Sequence, residues 1–115
     1  MLGIPIVNIP QSQYSVTVGN SITLTCTVTS NPTHTSVKWV RVLNNVNTDI
    51  AINNNKYSGS TVNTPSLTIS SADNSDGGYY TCYATNSIGT GQSQNTFLNV
   101  VGSKYKLQIL PIRST

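Results

Sequence analysis

Along this chain the clearest alternation of apolar and polar positions runs through residues 21–28. Ile22, Leu24, Cys26 and Val28 fall on one side, and Ser21, Thr23, Thr25 and Thr27 on the other. A period of two puts successive side chains on opposite faces of a strand, so the apolar side must meet a core. Gly19 and Asn20 precede this segment and follow Val16 and Val18, which reads as strand, turn, strand. Upstream, Ile6, Val7 and Ile9 begin an extended segment that Pro10 interrupts; this predicts a kinked edge strand, since proline cannot donate to a ladder. Downstream, Asn31 and Pro32 break the pattern. Val37, Trp39 and Arg41 then alternate with Lys38, Val40 and Val42, a strand with apolar residues on both sides. Residues 44–48 predict a turn, 50–52 a short strand and 53–55 another turn. Leu67 and Ile69 form one further inward pair, and Tyr80, Cys82 and Ala84 an inward trio. Gly89 and Gly91 punctuate a hairpin before Leu98 and Val100. Short strands separated by turn signals predict an antiparallel all-β sandwich, with no internal repeat and no amphipathic helix.

Composition supports this reading. Only 8% of the 115 residues are charged and there is no Glu, while Ser, Thr, Asn and Gly abound, a mixture that disfavours helices. The length suits one domain. The net charge of +3 is unevenly placed. Up to Gly102, Lys38, Arg41 and Lys56 balance Asp49, Asp73 and Asp76, so the excess is Lys104, Lys106 and Arg113 in the tail. Without a basic face no nucleic-acid partner is expected. Two cysteines with no His pair cannot form a zinc site but suffice for one structural disulfide, which predicts an oxidising compartment. Residues 1–5 lack a charged and apolar leader, and no apolar run approaches about 20 residues, so membrane insertion is not expected. The expectation is an ectodomain fragment of a longer secreted or surface protein, with Met1 added for expression. The domain is placed at residues 1–102. In the tail, 103–115, Tyr105, Leu107 and Ile109 alternate with Lys104, Lys106 and Gln108 before Pro111, and Gly102-Ser103 looks like a cloning junction. The tail reads either as a linker to a following domain or as vector-encoded sequence.

Four features then coincide. Trp39 lies thirteen residues after Cys26, Cys82 closes the set, and Asp76-Gly77-Gly78-Tyr79-Tyr80-Thr81-Cys82 fits D-x-G-x-Y-x-C. Over roughly residues 5 to 101 the chain resembles the immunoglobulin superfamily, and specifically its intermediate or I-set type. The resemblance implies a two-sheet Greek-key sandwich with an inter-sheet disulfide between Cys26 and Cys82. It places Trp39 against that bond, Leu67 in the core, and Tyr80 in a tyrosine corner whose hydroxyl reaches backbone upstream of Asp76. A cross-link between residues 56 apart is worth roughly 4 kcal/mol in the chain-entropy model. Between Ile52 and Lys56 there is room only for a turn, so the extra edge strand of variable-type domains does not fit. Ala84 to Gly89 looks like the compact F to G hairpin of I-set proteins, and the joining motif of antibody variable domains is missing. Where the family often has an Arg facing the motif Asp, this chain has Lys56, which predicts a Lys56 to Asp76 ion pair on the lower rim, a point charge in place of a bidentate fork.

Catalytic and metal chemistry find little support. His34, the single histidine, sits among Thr33, Thr35 and Ser36 in a loop without a nucleophile elbow, so no enzyme activity is expected. Residues 73–77 are oxygen-rich but lack the acidic alternation and the bidentate Glu of a calcium loop. No cofactor is expected. None of the fourteen Asn residues stands in N-x-S/T, so N-linked glycan is not expected either. If Trp39 and Cys82 point inward, Lys38, Val40 and Val42 with Thr81, Tyr83 and Thr85 point outward on the C-F-G sheet, the face through which related proteins often pair. The expected partner is a protein, including a second copy in a weak homodimer, or a glycan. The function expected is a non-catalytic recognition or adhesion module at the cell surface or outside the cell, with invertebrate-type immune recognition among its settings. The alternative is a cytosolic structural spacer like the I-set domains of giant muscle proteins. A formed disulfide separates the first from the second.

Overall fold

Pro10 divides the first extended segment into two strands that serve different layers. In this computed structural model, which describes residues 2–52 and 55–102, β1 (Gly3–Asn8) pairs antiparallel with β4 (Thr27–Asn31), whereas β2 (Gln13–Thr17) pairs in parallel with β11 (Thr96–Val101). The kink expected at Pro10 is thus a sheet switch. One pairing of the sandwich is parallel where only antiparallel ones were expected. The carbonyls exposed by the crossover are taken up by side chains. The Gln94 amide donates to the Ile9 carbonyl, and the Thr96 hydroxyl to that of Gln11 at 2.8 Å.

The alternating run at 21–28 is also divided between two strands, β3 (Ile22–Leu24) and β4, interrupted at Thr25-Cys26. There the Thr25 N–H donates to the Tyr14 hydroxyl at 3.1 Å and the Cys26 N–H to the Ser66 hydroxyl at 3.0 Å, so side chains replace ladder partners. β3 pairs with β8 (Leu67–Ile69), and β8 with β7 (Tyr57–Gly59). Together with β1 and β4 these form one layer. The other runs β2, β11, β9 (Gly78–Thr85), β5 (Ser36–Leu43), β6 (Val46–Asp49), with the short β10 (Thr90–Gln92) also on β9.

The turn expected over 44–48 is confined to Asn44-Asn45, at φ 53° and 66°. A two-residue hairpin of this kind needs positive φ at both central positions, which Asn tolerates. The strand therefore starts at Val46, and 50–52 is not a strand, contrary to expectation. Of the turn expected at 53–55, residues 53 and 54 lie outside the described residues, as does the tail 103–115.

Between the layers Ile9, Leu24, Trp39, Leu67, Ile69, Tyr80 and Leu98 are fully buried. The Cys26–Cys82 disulfide spans them with Cα atoms 6.6 Å apart. Trp39 stands opposite Cys82 in the β5–β9 register, and its indole N–H donates to the Pro65 carbonyl at 2.7 Å. The Tyr80 hydroxyl donates to the carbonyl of Asp76 itself at 2.6 Å, not to backbone upstream of it; Asp76 is the last residue of the 3-10 turn Asn74–Asp76.

Replacing Cys26 and Cys82 together by Ala should lower unfolding stability by about 4 kcal/mol in denaturant titrations, with the fold retained by circular dichroism. Burial raises the Tyr80 phenol well above its ordinary value. The folded state therefore holds this proton more tightly than the unfolded one. Its contribution is fully present below about pH 10 and is lost as pH rises toward the folded value. Tyr80→Phe should cost about 2 kcal/mol at neutral pH by leaving the Asp76 carbonyl unpaired, and should flatten the alkaline loss of stability.

Candidate functional site

Alternation along β5 and β9 sends Trp39 and Cys82 inward and their neighbours to the outer face. β10 extends that face by pairing with β9 beyond the turn at 86–89. Two cross-strand rows result. Lys38 lies opposite Tyr83, which lies opposite Gln92; Ser36 lies opposite Thr85, which lies opposite Thr90. The Lys38 ammonium stands 5.5 Å from the Tyr83 ring centre and 3.5 Å from Asp49, and the Thr85 and Thr90 hydroxyls share a hydrogen bond of 2.8 Å. Ser36, Val37, Lys38, Tyr83, Thr85 and Thr90 line an open groove of about 480 Å³. The groove thus offers one cation, one aromatic face and a row of hydroxyls.

The outward patch expected from the sequence is corrected here. Val40 and Thr81 are only 3% and 2% exposed and offer no contact surface. Val40 lies between Asp49 and Thr81 in the register, and the Thr81 hydroxyl donates to the side-chain oxygen of Asn95. Asn95 belongs to the interruption between β10 and β11, where the Ser93 hydroxyl also accepts from the Cys82 N–H at 3.0 Å. That irregular stretch folds over β9, a long-range effect invisible to local alternation. Val42, half-buried opposite Tyr79 and Asn47, lies farther down β5 and is not part of the groove. Lys38, Tyr83 and Thr85 are brought together. Ser36, Thr90 and Gln92 join them and were missed, although pairing β10 back across the turn after Thr85 would have found the last two.

Asn86 was also missed. Its buried side chain donates to the carbonyls of Gly3 (2.8 Å) and Pro32 (3.0 Å), and accepts from the N–H groups of Ile88 (2.9 Å) and Gly89 (3.1 Å). One amide thereby ties the start of β1, the loop after β4 and the turn between β9 and β10.

The lower rim is structural. Lys56 Nζ lies 2.7 Å from Asp76 Oδ2 and 4.0 Å from Asp73, and donates to the Ser71 carbonyl at 3.1 Å. The same Asp76 oxygen accepts from the Asp73 N–H at 2.9 Å, closing a capping box with the Ser75 N–H on Asp73. Hydrogen bonds from the Ser75 side chain, then its backbone, hold the Asp73 carboxyl below its ordinary range. Arg41 donates to the Gly77 carbonyl, so its charge also serves this turn. His34 Nε2 is 3.0 Å from the Val62 carbonyl. Among the described residues no three His, Cys, Asp or Glu side chains converge, and no helix is long and apolar enough to cross a membrane.

These features, the inter-layer disulfide with Trp39 against it and the Tyr80 corner, accompany a match of residues 5–100 to the model of the immunoglobulin I-set domain. The chain belongs to the immunoglobulin I-set family. Domains of this family are generally non-catalytic. Among solved structures this I-set domain is similar to the N-terminal Ig1-2 module of the Drosophila receptor protein tyrosine phosphatase DLAR, at 31% identity over 89% of the chain and TM-score 0.71. It spans about half, 48%, of that two-domain chain. An adhesion-type receptor, Dscam (23% identity, 85% of this chain and 24% of that one, TM-score 0.71), and titin M4 (24%, 88% and 99%, TM-score 0.65) share the fold.

Removing the ammonium at position 56 leaves the Asp73 N–H as the hydrogen-bond donor to the buried Asp76 carboxylate among the described residues. Lys56→Met should therefore lower stability by about 2 kcal/mol in urea titrations at pH 7, and Lys56→Arg should restore most of it. Asp73, with its lowered pKa, contributes stability present above the ordinary carboxylate range and lost as pH falls through the folded value. Ser75→Ala should reduce that acid sensitivity.

Proposed function

We propose that this I-set domain is a non-catalytic extracellular recognition module of a longer cell-surface or secreted protein, and that it contacts a protein partner with the outer face of β5, β9 and β10. The observation that carries this reading is the groove itself. A half-buried Tyr83 stands beside Lys38, flanked by Ser36, Thr85 and Thr90. A tyrosine already confined by its neighbours loses little freedom on binding, and offers an apolar ring and a hydroxyl together. The absence of any N-x-S/T sequence leaves the face free of N-linked sugar. The Cys26–Cys82 bond supports an oxidising compartment over a cytosolic spacer role. The similarity to the N-terminal Ig module of a receptor protein tyrosine phosphatase points the same way.

Two measurements test this. Alkylation of the protein taken from its native source should find both cysteines blocked; two reactive thiols would support the cytosolic spacer instead. Multimers of the full chain should bind cells of the source tissue, and Lys38→Glu with Tyr83→Ala should weaken that binding roughly tenfold or more without loss of fold. Undiminished binding by the double variant would overturn the assignment of this face. Binding that survives protease treatment of the cells but not glycosidase would move the partner to the glycan class.

A further inference from the structure

β6 is an open edge of its sheet. It pairs with β5 on one side, and among the described residues no strand pairs with the other. All four of its residues are exposed. Which backbone groups face outward follows from the ladder. The Ile50 N–H donates to the Trp39 carbonyl at 2.9 Å, and the β5–β6 register, carried one step further, sets these two residues opposite each other. Hydrogen-bonded pairs alternate with open ones along an antiparallel ladder, so Val46, Thr48 and Ile50 bond toward β5. The N–H and C=O groups of Asn47 and Asp49 therefore point away from it. Sheet edges are commonly blunted by proline, a bulge or charge. β6 has neither proline nor bulge, and its one charge, Asp49, is met by Lys38 at 3.5 Å.

We infer that β6 pairs with β6 of a second copy, antiparallel, about a two-fold axis through Thr48. Three registers bring the outward groups of two such edges together. One sets Asp49 against Asp49 of the second copy, a like-charge pair that is destabilising. Another sets Asn47 against Asn47 and leaves Asp49 opposite Asn45, which is left-handed in the hairpin turn and cannot continue a strand. The remaining register sets Asn47 of each copy against Asp49 of the other, and each such pair exchanges both its main-chain hydrogen bonds. Side chains then match as well. On the outer face the Asn47 carboxamide donates to the Asp49 carboxylate. On the axis Thr48 meets Thr48, a favourable cross-strand pair. On that same inner side Val46, 61% exposed, comes opposite Ile50 of the second copy, beside a depression of about 190 Å³ lined by Leu43, Ile50, Ala51 and Tyr57. Any extended strand could take up the backbone groups. A second copy is selected because this segment, reversed, supplies its own partner at every position.

Stable interfaces bury roughly 800 Å² per partner, more than one short edge supplies, so the dimer is weak and forms at high concentration. The axis is perpendicular to the sheet. Both outer faces therefore look the same way and present the two Tyr83 grooves side by side, an arrangement suited to bivalent contact. The pairing itself does not depend on what the groove binds.

Sedimentation velocity on the full chain, over concentrations up to about 1 mM, tests this. The sedimentation coefficient of the wild type should rise with concentration, and that of Tyr83→Ala equally. Asn47→Pro removes an outward N–H that β5 does not use, so it should stay folded by circular dichroism and associate at least tenfold more weakly. Asn47→Asp should also weaken association and Asn47→Lys strengthen it, because position 47 faces Asp49 of the second copy. Thr48→Cys, mildly oxidised, should give a covalent dimer linked through position 48 in peptide maps, since opposed residues of an open pair have Cα atoms about 4.5 Å apart, within disulfide reach. A wild type that stays monomeric, a folded Asn47→Pro variant that associates as the wild type does, Asn47→Asp and Asn47→Lys acting in the same direction, or a Thr48→Cys variant without that link would each overturn the inference.

Discussion

The bond between Cys26 and Cys82, with Trp39 set opposite Cys82, fixes the separation and register of the two layers at their centre. Each layer alone would expose a full apolar face and could not persist in water. Once they are joined here, the other buried residues have a defined partner surface: Leu24, Leu67 and Ile69 on one side, Tyr80 and Leu98 on the other. The groove and the threonine-bearing side of β3, β4 and β8 then lie on the two outer surfaces of one object. Their side chains are set by alternation away from that centre.

A second theme is how the sandwich satisfies backbone groups where its ladders stop. Strand interruptions at Thr25-Cys26 and at residues 93–95, and the crossover at Pro10, all expose buried donors or acceptors. In each case a hydroxyl or amide supplies the missing partner: Tyr14 and Ser66, then Ser93, then Gln94 and Thr96. The abundance of Ser, Thr and Asn in this chain is therefore more than a turn signature. Asn86 shows the same economy, with one buried amide serving three segments. A buried unpaired polar group costs more than a hydrogen bond gains, so these residues specify the irregular parts of the fold as firmly as the aliphatics specify its core.

The two outer faces differ in chemistry for a reason rooted in that arrangement. Strands β5 and β6 take the charges, where Lys38 finds Asp49 and Tyr83 across short distances. The opposite layer carries β-branched and hydroxyl side chains that suit a strand and need no counter-ion. One domain therefore presents a polar, cationic groove on one side and a neutral, partly aliphatic face on the other.

The core was legible in the sequence because it depends on local periodicity and on a motif of fixed spacing. Ile22, Leu24 and Cys26, the Trp39 position and the stretch from Asp76 to Cys82 predicted the fold class before any coordinates. What local pattern could not supply was anything set by residues distant in sequence. Val40 and Thr81 alternate as surface residues do, yet both are buried, Thr81 bonded to Asn95 in the broken strand and Val40 set between Thr81 and Asp49. The strand expected at 50–52 moved to Val46–Asp49 because a pair of left-handed Asn residues closed the hairpin early. Ile6 looked like one member of an edge strand, and only the pairing of β1 with β4, and its tether through Asn86, showed that Leu2, Ile4 and Ile6 stand together on an uncharged face. Alternation determines which side chains share a face of a strand; whether that face meets water is decided by what the rest of the chain lays over it.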